Sequence, residues 1–99
     1  MSLPDAGVKK DTGKPRFSLL PLVELSEVVD VLEFGAKKYS PDNWKLVPLS
    51  EDRYFDAAIR HILAFRLGEK LDNESGKSHL AHALCCLLFW MWHSNRRAT

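Results

Sequence analysis

Between residues 69 and 82 the sequence sets three carboxylates, Glu69, Asp72 and Glu74, ahead of two histidines, His79 and His82. The histidines are three apart, so on a helix they share a face, one turn from each other. His61 precedes this group and His93 follows it. Carboxylate oxygens beside imidazole nitrogens make divalent-metal chemistry. Oxygen-rich sets suit Mg2+ or Mn2+, and imidazole-rich sets suit Zn2+ or Fe2+. Two other readings fit the same spacing. The acids can cap a helix whose histidines answer them with hydrogen bonds, or the histidines can act as protonation switches at an interface. Glu69 and Asp72 also spell E-x-x-D, but they follow Gly68 and fall on a loop, where that spacing does not ensure a shared face.

Three helical segments must position these groups. The first starts near Pro21, a residue suited to the first helical position, and runs toward Tyr39. Leu22, Leu25, Val28, Val29, Leu32 and Ala36 recur on one of its faces, and Glu33 can pair with Lys37 four residues on. Gly35 weakens the segment, which means either close approach of another backbone or fraying. The second has Ser50 as N-cap, acids Glu51 and Asp52 in its first turn, and Gly68 as its stop. Tyr54, Ala57, Ala58, His61, Ile62 and Phe65 form its inner face, so His61 points inward. The third, over 76–95, has Ser75 as cap and is apolar nearly all round, which places it in a core or a subunit interface. No strand pattern or repeat intervenes.

The expectation is an all-α, compact three-helix domain, completed by oligomerisation into a larger helical bundle through the 76–95 helix. Residues 1–18 read as a flexible arm, 19–95 as the helical domain and 96–99 as a basic tail. Lys9, Lys10, Lys14 and Arg16 in the arm read as solvated. A chain of 99 residues has room for one domain. Its net charge of +1 supplies no broad field for stable nucleic-acid or membrane binding. The longest apolar run, Leu80 to Trp92, is broken by His82 and is shorter than the roughly 20 residues a spanning helix needs. Adjacent Cys85 and Cys86 point about 100° apart on a helix, so they read as buried free thiols of a reducing compartment. No signal peptide is visible, and a cytoplasmic location is expected.

The connector "YSPDNWKLVPLS", residues 39–50, carries turn signals and large aromatics. Trp44 either covers the core or joins Tyr39 and Asn43 as a wall for a flat ligand. Simple antiparallel packing sets the Lys38–Trp44 group about a helix length from the acid–histidine group. A second subunit would then be needed to bring them together.

The segments "KPRFSLLP", "EFGAKKYSPDNW" and "AAIRHILAFRLGEKLDNESGKSHLAHALC" together resemble the N-terminal domain of phage dATP/dGTP diphosphohydrolases, from Lys14 to about Trp92. That family is similar to the all-α, Mg2+-dependent nucleoside triphosphate pyrophosphohydrolases of MazG type. The resemblance implies hydrolysis of a deoxynucleoside triphosphate, dATP or dGTP, to monophosphate and pyrophosphate with Mg2+ or Mn2+. It also implies a phage or prophage protein in a bacterial host. Under it, Glu69, Asp72, Glu74, His79 and His82 hold the metal. Glu69, Glu74 and His61 serve catalysis, with His61 as a base or as support for a metal ligand. Lys38 and Arg60 meet phosphate, Tyr39 or Trp44 stacks on the purine, and Asn43 reads its edge. The sequence has no E-E-x-x-E, and His79 and His82 stand where the pattern has E-x-x-D. Two alternatives stay open: a related metal-dependent nucleotide phosphohydrolase, and a non-catalytic oligomerisation or nucleotide-binding module.

Overall fold

In the computed structural model, residues 6–97 are described. Residues 1–5 of the expected arm and 98–99 of the expected basic tail lie outside them. Three helices form the domain: α1 (Leu22–Lys38), α2 (Ser50–Arg66) and α3 (His79–Asn95). Short 3-10 turns cover Phe17–Leu19 and Asn43–Leu46. Among the described residues there is no strand, only an isolated antiparallel bridge between Leu71 and Ser78. No helix there is long and apolar enough to cross a membrane.

The helix ends correct three expectations. Pro21 is the cap of α1, not its first residue; its carbonyl accepts from the Leu25 amide at 3.0 Å. Ser50 is not a cap either. Leu49 takes that position at φ 53°, in the left-handed region, and Ser50 is already helical. Ser78, not Ser75, caps α3, its hydroxyl accepting from the Leu80 amide at 3.1 Å. The cause lies in the 68–78 loop. Gly68 and Gly76 turn the chain at φ 107° and 71°, conformations that suit glycine. Between them the Asp72 amide donates to Lys77 and the His79 amide to Lys70, closing a narrow hairpin. That hairpin absorbs residues 76–78, so Gly76 lies before the helix and not within it.

The core is small. Val28, Val31, Ala81 and Cys85 are buried together, with Leu32 and Phe89 packed against them. Val31 was absent from the apolar stripe read in the sequence, while Leu22, Leu25 and Val29 of that stripe are exposed. Helix α1 therefore lies on α3 by its 28–31–32 line. Its continuation through Gly35 to Lys38 is regular, and a β-carbon at Gly35 would meet nothing, so neither close approach nor fraying explains that glycine.

Helix direction overturns the largest expectation. Val28 meets Cys85 while Lys38 meets Glu74, so α1 runs antiparallel to α3. Tyr54 stacks near His93 and His61 near His82, so α2 is antiparallel to α3 as well. Hence α1 and α2 are parallel, and the connector between them travels back along the domain. Its eleven residues, 39–49, can reach up to ~36 Å, more than the ~25 Å length of a 17-residue helix. Trp44 anchors it, stacking on Phe89 at 4.5 Å with its carbonyl accepting from Tyr54 Oη at 3.0 Å. His93 Nε2 lies 2.9 Å from the same carbonyl and donates to it as well. The Lys38 group and the acid–histidine group consequently meet within one chain, with no second subunit required.

Candidate functional site

A cleft of about 880 Å³ opens between the C-terminal half of α1, the connector, α2 and the head of α3. Ligand sites are typically about 300–1,000 Å³. Lys38, Tyr39, Asn43, Trp44, Arg60, His61, Asp72, Glu74 and His82 all line it. Glu69 and His79 are not among its lining residues and sit behind its acidic end. Arg53, which the sequence reading passed over, also lines the cleft. Its signal was available: Arg53, Ala57 and Arg60 recur on one face at helical spacing.

One wall is basic and aromatic. Lys38 Nζ is 2.6 Å from Glu74 Oε1 and lies over the Tyr39 ring, 5.2 Å from its centre. Hydrogen bonding to Glu74, then to Tyr39, raises the Lys38 pKa, so the ammonium is fully charged at neutral pH. Tyr39 is well exposed. Trp44, in contrast, gives one face to Phe89 and meets the edge of Trp92 at 5.1 Å. Trp44 therefore covers the core and also borders the cleft.

The other wall holds the imidazoles. His61, from the C-terminal half of α2, places Nδ1 2.8 Å from Nδ1 of His79 at the start of α3. The His61 ring also stacks on His82, centre to centre 4.7 Å. Burial, then repulsion from His82 and His79, lowers the His61 pKa to about 4, so the ring is neutral at pH 7. Burial also lowers His82, with His79 adding to it against the pull of Asp72 and Glu74.

Asp72 is held by the loop. Its Oδ2 accepts from the Ser75 amide at 2.9 Å and the Ser75 hydroxyl at 3.0 Å. Ser75 Oγ lies 2.7 Å from His82 Nε2. A hydroxyl that donates to Asp72 can only accept from His82, so His82 carries its proton on Nε2. Partial burial raises the Asp72 pKa, but the Ser75 amide and hydroxyl and the two histidines pull it below the ordinary carboxylate value. Ser75 thus links Asp72 to His82 and is not the helix cap its type and position suggest.

His79 is 6% exposed, and its Nε2 has no hydrogen-bond partner. Glu69 Oε2 is the nearest carboxylate, at 3.7 Å. An unsatisfied buried polar atom costs about 1–3 kcal/mol, so this orphan marks strain or a missing partner. His61, Asp72 and His79 each offer a donor atom within 4.8 Å of the others. Of the five residues expected to hold a metal, Asp72 and His79 therefore converge. His82 Nε2 is taken by Ser75, Glu74 is paired with Lys38, and Glu69 stands behind His79. His61 joins the set. As they stand the two ring nitrogens, 2.8 Å apart, share one proton in a hydrogen bond, and with Asp72 within 4.8 Å they also make an imidazole-rich donor set that a divalent cation could take.

Across residues 4–99 the chain matches the family model described as dATP/dGTP diphosphohydrolase, N-terminal. It is 39% identical over 93 residues to a protein of Salmonella phage PMBT28 named dATP/dGTP diphosphohydrolase. That match takes in 94% of this chain but 31% of the phage protein, so the chain spans about a third of its relative's length. No solved structure matches the chain.

Proposed function

This chain belongs to the dATP/dGTP diphosphohydrolase N-terminal family, and from that premise we propose that its cleft binds a purine deoxynucleoside triphosphate and, with a divalent cation, hydrolyses it to monophosphate and pyrophosphate. One observation carries the reading: three cations, Lys38, Arg53 and Arg60, line the same cleft as Asp72, His61 and His82. The cations meet phosphate oxygens, the arginines as planar forks and Lys38 as a point charge. Tyr39 offers an exposed ring to the base, and Asn43, also on the cleft, reads its edge. His61, Asp72 and His79 would hold the cation, whose chemistry is to neutralise phosphate charge and acidify a water. Glu69, 3.7 Å from His79 Nε2, is the carboxylate placed to orient that ring once the cation is held.

The test is incubation with each deoxynucleoside triphosphate and Mg2+ or Mn2+, read as pyrophosphate release. Release with dATP or dGTP supports the reading. No turnover of any of the four with either ion overturns it for this chain, and orthophosphate or triphosphate as product indicates a related phosphohydrolase.

A second reading, a non-catalytic oligomerisation module, is favoured by one observation. Phe55, Ile59, Ile62 and Leu63 of α2 and Leu80, Leu84, Leu88 and Met91 of α3 are exposed, on the faces turned away from the cleft. Apolar surface of that extent is a docking face, and a second copy of the chain is the proposed occupant. A Leu84→Glu, Leu88→Glu double variant is expected to lower the mass in light scattering while keeping helicity. An unchanged mass argues against self-association through α3.

A further inference from the structure

We propose that His61, Asp72 and His79 form a site for a first-row transition-metal ion that accepts imidazole nitrogen, in preference to Mg2+. The inference rests on the reading above for what the ion does in the cleft, but ion binding can be read without any nucleotide.

His61 Nδ1 and His79 Nδ1 are 2.8 Å apart, so one must donate and the other accept. If His61 donates, His79 carries its proton on Nε2, a buried donor whose nearest carboxylate, Glu69, is 3.7 Å away, beyond hydrogen-bond distance. If His79 donates, its Nε2 is a buried lone pair with no donor. Protein atoms leave an orphan either way. A cation between the rings takes both Nδ1 lone pairs at once and fixes the His79 proton on Nε2, on the side of Glu69, 3.7 Å away. A ligating histidine whose second nitrogen addresses a carboxylate is the usual arrangement at metal sites.

The third donor is close by, an Asp72 oxygen within 4.8 Å of both rings' ligand atoms. Asp72 uses Oδ2 on Ser75, and among the described residues its other oxygen has no protein donor. Two donors on one ion, at ~2.0–2.1 Å each, stand about 3.0–3.4 Å apart, so the imidazoles need separate by only a few tenths of an ångström while Asp72 closes from within 4.8 Å. Two nitrogens and one carboxylate oxygen suit Mn2+, Fe2+, Co2+ or Zn2+, whereas Mg2+ takes oxygen and water. His93 lies at the far end of α3, on the Trp44 carbonyl, and serves as an internal control.

The experiment uses the 99-residue chain without nucleotide. Co2+ is titrated by visible absorption, and Mn2+ is added in small amounts while histidine ring protons are followed by NMR. The expected result is saturation at a single equivalent of Co2+, no displacement by a large excess of Mg2+, and broadening of His61 and His79 before His93. His61→Ala and His79→Ala, each checked for helicity by circular dichroism, should weaken Co2+ binding by about tenfold or more. Glu74→Gln should not change it. Equal broadening of all histidines, none at all, or ready displacement by Mg2+ overturns the site. The NMR arm uses unmodified protein, so misfolding of the buried His79 variant does not decide the outcome. A failed ion titration leaves nucleotide turnover to be judged by pyrophosphate release.

Discussion

Lys38 Nζ lies 2.6 Å from Glu74 Oε1, joining the end of α1 to the loop that leads into α3. Both side chains are well exposed, so the pair is a weak fastening and an available one. A triphosphate entering the cleft competes with Glu74 for the ammonium. Lys38→Ala is expected to weaken dATP or dGTP binding by about tenfold, the scale of one lost charge-assisted contact. Glu74→Gln should leave the melting temperature unchanged and tighten binding, because it removes the competing anion. Equilibrium dialysis without metal measures both. Weaker binding in Glu74→Gln would show that Glu74 itself serves the nucleotide.

His61 predicts a pH dependence of stability in chelator-treated protein. Its pKa falls from 6.5 to about 4 on folding. Between those values the unfolded chain binds a proton that the folded chain refuses, so protons favour unfolding. His61 therefore costs nothing above pH 6.5 and destabilises progressively as pH falls toward 4. At about 1.36 kcal/mol per pKa unit, discounted because the ring is only partly shielded, the loss is ~1–2 kcal/mol. Urea unfolding of wild type and His61→Gln at pH 7 and pH 4.5 isolates it from the carboxylates. Equal losses in the two proteins would refute the assignment.

Leu49 predicts a gain. It caps α2 at φ 53° with its side chain 79% exposed, so the strained backbone has no packing to offset it. The left-handed conformation costs a non-glycine residue about 1–2 kcal/mol, and glycine gives back part of that through its freer unfolded chain. Leu49→Gly should stabilise by about 0.5–1 kcal/mol in urea melts. A loss of stability would mean that Leu49 packs on something in solution.

The helices were legible in the sequence because α1 and α2 carry apolar periodicity and α3 is a long apolar run, and the ends of α2 and α3 fall within two residues of Gly68 and Asn95. What it concealed was set by contacts far apart in the chain. Ser75 reads as the cap of α3 by type, but the Leu71–Ser78 bridge uses up the residues after it and leaves that position to Ser78. The parallel course of α1 and α2 depends on Trp44 meeting Phe89, Trp92 and His93, a docking no local pattern encodes. Asp72, His79 and His82 stood out by type, and the structure gathers them around His61. The sequence could not say that Ser75 would occupy His82, nor that Lys38 would reach Glu74.

The parallel course of α1 also shapes how the domain breathes. Helices α2 and α3 form a hairpin through a short loop, but among the described residues α1 gives the buried core only Val28 and Val31. It is the wall most easily lifted, opening locally at a lower free energy than the hairpin. A ligand that spans Lys38 on α1 and Arg60 on α2 binds only the closed form, and so draws on that opening equilibrium. Filling the cleft should therefore slow amide hydrogen exchange first and most along α1, at positions far from any contact with the ligand.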